Sequence, residues 1–113
     1  MASKRIAQVN ALIRQELGRA LTREIELPLD TLVTVGRVDT SPDLEHTRAW
    51  LKIYPVEQSD HVFEIIQRQI YFIQKVLNRR LVMKFTPKIV FEIDRSEDAA
   101  DRILHVLDNL TKK

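Results

Sequence analysis

The chain contains no cysteine, which removes disulfides, thiolate metal sites and cysteine nucleophiles together. It has two glycines, Gly18 and Gly36, too few and too far apart for a glycine-rich phosphate loop. Nucleotide-hydrolysing and dinucleotide-binding motifs are thereby excluded. No apolar run approaches the roughly 18 residues of a membrane span. The N-terminal MASKRIAQVN lacks the apolar stretch of a secretory signal. These absences give the expectation of a cytoplasmic protein with no membrane association. The three histidines, His46, His61 and His105, lie far apart, and none has the i, i+4 partner of a helical metal pair. No metal or small-molecule cofactor is expected. Ser3, Ser41, Ser59 and Ser96 all stand where caps or turns want them, outside any nucleophile-elbow context. The carboxylates around Glu24/Glu26 and Glu92/Asp94 read as helix-end and strand-edge charges, so the chain is not expected to be an enzyme.

One further absence is local. From Gln67 to Phe91 there is no carboxylate, while Arg68, Lys75, Arg79, Arg80, Lys84 and Lys88 all fall in that span. The N-terminal segment adds Lys4, Arg5, Arg14, Arg19 and Arg23 against Glu16, and acids gather after Phe91. Net charge is only +2, yet segregation of this kind steers anions. A solvated helix would normally mix signs at i, i+4, because like charges there cost a few tenths of a kcal/mol. The run therefore reads either as an ordinary solvated face or as a surface for a polyanion. Aromatic residues are sparse within it. Tyr71 is the one ring expected to be exposed, which favours recognition of phosphate and shape over bases.

At 113 residues and 44% hydrophobic, the chain is expected to form one domain, residues 1–113, with a real core. Ile6, Val9, Ile13, Leu17, Ala20 and Leu21 recur at helical spacing, predicting an amphipathic helix that stops near Glu26, ahead of Pro28. TLVTVGRVDTSPDLEHTRAWLKIYP predicts a β-hairpin about a turn at Ser41-Pro42-Asp43. Thr47, Ala49, Leu51 and Ile53 share one face of its second strand; Arg48, Trp50, Lys52 and Tyr54 share the other. Trp50 and Tyr54 are expected to pack as core or edge. Ser59, as cap, opens a second helix to about Arg80, with Val62, Ile66, Ile70, Ile73, Leu77 and Leu81 as its stripe. KIVFEID predicts a third strand, and Ser96 opens a last helix through Ala100, Ile103, Leu104, Leu107 and Leu110. The class is α+β, in the order α-β-β-α-β-α.

Two blocks carry a resemblance. VDTSPDLEHTRAWLKIYP, Val38 to Pro55, resembles the hairpin of the bacterial ribosome-binding factor A family through Val38, Asp39, Ser41, Asp43, Leu44, Ala49 and Leu51. FIQKVLNRRLVMKFTPKIVF, Phe72 to Phe91, resembles that family's basic helix leading through a proline into the third strand. The resemblance covers roughly residues 4 to 110. It implies a KH-like fold of type II order, a three-stranded sheet backed by helices. It also implies RNA binding by a non-enzymatic factor, expected as a monomer, that associates with the immature small ribosomal subunit and its rRNA during late maturation. Arg68, Lys75, Arg79, Arg80, Lys84, Lys88, Lys4 and Arg5 are then the expected RNA contacts. A protein-binding adaptor with an acidic partner is the rival reading.

One departure stands out. KH domains clamp RNA backbone with a Gly-x-x-Gly loop, which the resembled family replaces with an Ala-x-Gly kink. Here that position falls at Gln69, Ile70 and Tyr71, with neither alanine nor glycine. Nothing between 62 and 80 breaks a helix by local propensity, so one continuous helix is predicted.

Overall fold

The computed structural model describes residues 3–95; the last helix expected from Ser96 lies outside the described residues. Ser3 caps α1 (Lys4–Arg23), its side-chain oxygen accepting from the Ile6 N–H at 3.1 Å. The helix ends three residues short of the predicted Glu26. Ile25 is drawn into the core, and the chain turns through Pro28, where the Thr31 hydroxyl donates to the Pro28 carbonyl at 2.5 Å. Burial of Ile25 thus overrides helix continuation.

The hairpin is β1 (Leu32–Thr40) and β2 (His46–Tyr54), antiparallel. At its turn Leu44 N–H bonds the Ser41 carbonyl, and Leu44 takes φ 62°, the left-handed residue that follows a type I turn in short hairpin loops. Register jumps between Val35 and Val38, so Gly36 and Arg37 together oppose Trp50. This bulge reverses the parity of β1. Val33 and Val35 face inward before it, and Val38 and Thr40 are the buried residues after it.

After a short 3-10 turn (Val56–Gln58), α2 runs Ser59–Arg68 and α3 runs Ile70–Arg80. Ser59 is the first helical residue and is buried; the cap position is Gln58. The 3-10 turn winds the chain one residue early and moves Ser59 inside. β3 (Lys88–Ile93) then pairs parallel to β2, giving sheet order β1-β2-β3.

The helices cover one sheet face. Ala49, Leu51, Ile53, Ile89 and Phe91 meet Ile13, Leu17, Val62, Ile66, Ile73 and Leu77 in a single core. Each of these side chains larger than alanine contributes about 1.5–3 kcal/mol on burial. Trp50 lies on the opposite face and is not core, because strand alternation puts Ala49 and Leu51 inward. The Arg37 guanidinium lies 4.8 Å from the Trp50 ring centroid and that of Arg48 5.9 Å. Tyr54, also half-buried, shares that face. The architecture is a KH-like α+β fold.

Candidate nucleic-acid interface

The predicted continuous helix is broken at Gln69, whose φ −104° and ψ 14° leave the helical region. Its N–H bonds the Ile66 carbonyl at 3.0 Å, one residue short of the helical partner. The Ile65 carbonyl, left behind, accepts instead from Gln69 Nε2 at 3.4 Å. A side chain entering the i→i−4 ladder is a recognised cause of kinks. Here it satisfies the orphaned acceptor. Packing supplies the rest: α2 rests on β2 and β3, whereas α3 packs against α1 and β3. The two halves answer to different neighbours, so the bend needs no alanine or glycine.

The bend aims α3 along the outer edge of β3. Lys88 N–H bonds Glu45 O and Asp94 N–H bonds Leu51 O, so the peptide groups of Lys88, Val90 and Glu92 point at β2. Those of Ile89, Phe91 and Ile93 point to the outer edge. Gln74 occupies the start of that edge. Its Nε2 donates to the Pro87 carbonyl at 3.1 Å and its Oε1 accepts from the Ile89 N–H at 2.9 Å. One side-chain amide thus mimics a parallel strand, which protects an edge that would otherwise pair with other chains. No sequence pattern announces this, since the partners lie 13 and 15 residues away.

Between α3 and β3 runs a groove of about 500 Å³, lined by Ile70, Tyr71, Gln74, Asn78 and Lys88 among others. Tyr71 is 82% exposed. Asn78 also lines a neighbouring hollow with Phe72, Lys75 and Arg79. Thr86 is shared with a larger cavity of about 800 Å³ that includes Arg5 and Lys84. The structure therefore joins Lys75, Arg79, Lys88, Lys84 and Arg5 along one connected surface. Lys4 is exposed in the first turn of α1.

Two of the sequence-expected cations are engaged elsewhere. Arg68 pairs with Glu64 at 2.5 Å, one turn earlier on α2. Arg80 turns to α1, meeting Glu24 at 3.1 Å and Glu16 at 4.0 Å. Glu16 is itself buried and is also paired with Arg19 at 3.4 Å. Lys4, Arg5, Lys75, Arg79, Lys84 and Lys88 make no ion pair among the described residues.

The hairpin turn holds a cluster that sequence reading missed. Asp43, Glu45 and His46 each bring one ligand atom within 4.8 Å of the others, all on exposed side chains. Asp43 Oδ1 accepts from the Ser41 hydroxyl at 2.6 Å and from the Glu45 N–H at 3.0 Å. These bonds, the hydroxyl first, hold its carboxyl below the ordinary 3.8. Among the described residues no helix is long and apolar enough to cross a membrane.

Against known proteins, the chain matches the family described as ribosome-binding factor A over residues 5–107. It is 34% identical to ribosome-binding factor A of Prochlorococcus marinus over 96% of this chain and 85% of that one. With the factor of Akkermansia muciniphila it shares 30% identity over 97% and 87% respectively. Its fold is similar to the crystal structure of ribosome-binding factor A from Thermus thermophilus, with TM-score 0.70 at 23% identity, covering 80% of this chain and 97% of that one. It is similar too to the homology model of the Thermus thermophilus factor fitted into the cryo-EM map of its complex with the 30S subunit. There the TM-score is 0.66 at 22% identity, covering 80% and 96%. With a family match spanning nearly its whole length and a kinked helix pair set over a three-stranded sheet, the chain belongs to the ribosome-binding factor A family.

Proposed function

We propose that this chain binds the small ribosomal subunit by laying single-stranded rRNA along the α3–β3 groove, and assists late maturation of that particle as a cytoplasmic monomer. The observation that carries the reading is the groove itself. It is walled by a kinked helix pair and by a strand edge with outward peptide groups, and it is bordered by cations without carboxylate partners among the described residues. Lys88 lines the groove itself, Lys75 and Arg79 line the hollow reached at Asn78, and Lys84 with Arg5 lines the cavity reached at Thr86, with Lys4 beside Arg5 on α1. Tyr71 offers a ring at the bend, and unstacked bases pack on such rings. Arg68 and Arg80, held by Glu64, Glu24 and Glu16, contribute less. Factors of this family carry the ribosome in their name, and a relative has been fitted into a 30S complex. Nothing in the groove calls for chemistry; the mode of action is occupancy.

Co-sedimentation of the purified protein with small subunits, with and without nuclease, tests the reading. Wild type is expected in the particle fraction, and a folded Arg79→Glu/Lys88→Glu variant in the supernatant. Equal sedimentation of both would move the contact away from the groove. A complex that survives nuclease digestion of the RNA would favour an acidic protein partner.

A further inference from the structure

A cavity of about 800 Å³ lies where the first turns of α1, the β1–β2 turn and the loop after α3 converge. Its composition differs from that of the groove. Arg5 and Lys84 are balanced by Asp43 and Glu45, so it is no simple phosphate funnel. Val82 is fully exposed and Phe85 is 77% exposed at its lip, apolar surface held in solvent on a loop tip. Asp43 Oδ1 already accepts from the Ser41 hydroxyl and the Glu45 N–H. The Glu45 carboxylate has no hydrogen-bond or ion-pair partner among the described residues.

A ring to stack on, a spare carboxylate, cations at the margin and room of about 800 Å³ describe a seat for one unstacked base with its phosphates. The carboxylate selects which base. Guanine presents two adjacent donors, N1–H and the N2 amino group, that match both oxygens of a carboxylate. Adenine and cytosine offer a single amino donor on that edge, and uracil a single imino N–H. Position agrees, because Thr86 lines both this cavity and the groove, so a strand leaving the groove arrives here. We propose that the cavity seats an unpaired guanine of the bound RNA, with Phe85 stacking on it, Glu45 reading its Watson–Crick edge, and Arg5 and Lys84 on the flanking phosphates. This rests on the RNA-binding reading of the groove and adds a base preference to it.

The test is fluorescence anisotropy with labelled uridine-rich octamers carrying one central guanine, inosine or adenine, against wild type, Glu45→Gln, Phe85→Ala and Lys88→Glu. A bidentate base contact discriminates by about 1–3 kcal/mol, so wild type should prefer guanine over adenine about tenfold. Inosine, lacking the N2 amino group, should fall between. Glu45→Gln should erase the preference for guanine over adenine, and it should not weaken binding of an all-uridine strand, since it removes a negative charge from the seat. The Glu45 backbone bonds to Asp43 and Lys88 do not involve the altered atoms. Phe85→Ala should weaken every strand about tenfold, in line with the loss of one base stack. Equal affinity of wild type for the guanine and adenine strands, or a guanine preference that survives Glu45→Gln, overturns the proposal. In either case a loss on Lys88→Glu would leave the groove reading standing. Failure of wild type to bind any strand overturns both.

Discussion

Arg79 and Arg80 are adjacent, chemically identical and separated by about 100° of helix rotation, and they serve opposite ends. Arg80 closes the seam between α3 and α1, where Glu24 and the buried Glu16 receive it. Arg79 faces the hollow it shares with Lys75 and Phe72. At the seam a charge is matched within the fold, and removing it strands a carboxylate. At the groove a charge is left unmatched among the described residues, and removing it should cost the fold nothing. A basic run read from sequence is therefore two populations, separated by whether the fold sets an acid opposite each cation.

The largest expected effect breaks the seam. Arg80→Ala should lower unfolding free energy by about 2 kcal/mol in urea titration, below the roughly 3–5 kcal/mol of a fully buried broken pair because Arg80 is 37% exposed. Next comes the groove. Arg79→Glu should shift stability by less than about 0.5 kcal/mol, while affinity for the small subunit falls about tenfold at low salt, as expected for reversing one phosphate contact in a high-charge interface. Smaller is the kink. Gln69→Ala leaves the Ile65 carbonyl without its amide donor and should cost about 0.5–1 kcal/mol, with faster amide exchange confined to residues near 69. A measured loss as large as that of Arg80→Ala would mean that the kink, not the seam, holds α3 in place. Smallest is the turn. Asp43 has a lowered folded-state pKa, so its contribution is full above the unfolded value and fades as pH falls through the folded one. The stability difference between wild type and Asp43→Asn should therefore be constant at neutral pH and shrink below pH 3.8.

Strand β2 was legible to the residue, because period-two alternation from His46 to Tyr54 has a proline behind it and a turn before it. The stripe of Val62, Ile66, Ile73 and Leu77 was equally legible. What escaped depends on partners distant in sequence. The bend at Gln69 comes from two halves of one amphipathic stretch packing on different neighbours, and helix propensity carries no record of that. The bulge at Gly36 and Arg37 is set by which β1 residues must meet Ala49 and Thr47. The duty of Arg80 depends on Glu16 and Glu24, 64 and 56 positions away. Of the candidate site, the cations were legible as a group but not in their pairing. Gln74 and Glu45 were invisible, being ordinary polar residues until the fold sets one against a strand edge and the other at the mouth of a cavity. Phe85, 77% exposed, is a further exposed ring where the sequence predicts Tyr71 alone.

The most direct test of the two-population account is the salt dependence of binding to small-subunit RNA, for wild type, Arg79→Gln and Arg80→Gln, each first shown to be folded. Six cations without an ion pair among the described residues give an expected log–log slope of about −4 for single strands. Arg79→Gln should make that slope shallower by about 0.7, with unfolding unchanged, and Arg80→Gln should leave the slope alone while lowering stability. The reverse pattern, a shallower slope for Arg80→Gln and none for Arg79→Gln, would contradict the account and place the RNA on the α1–α3 seam.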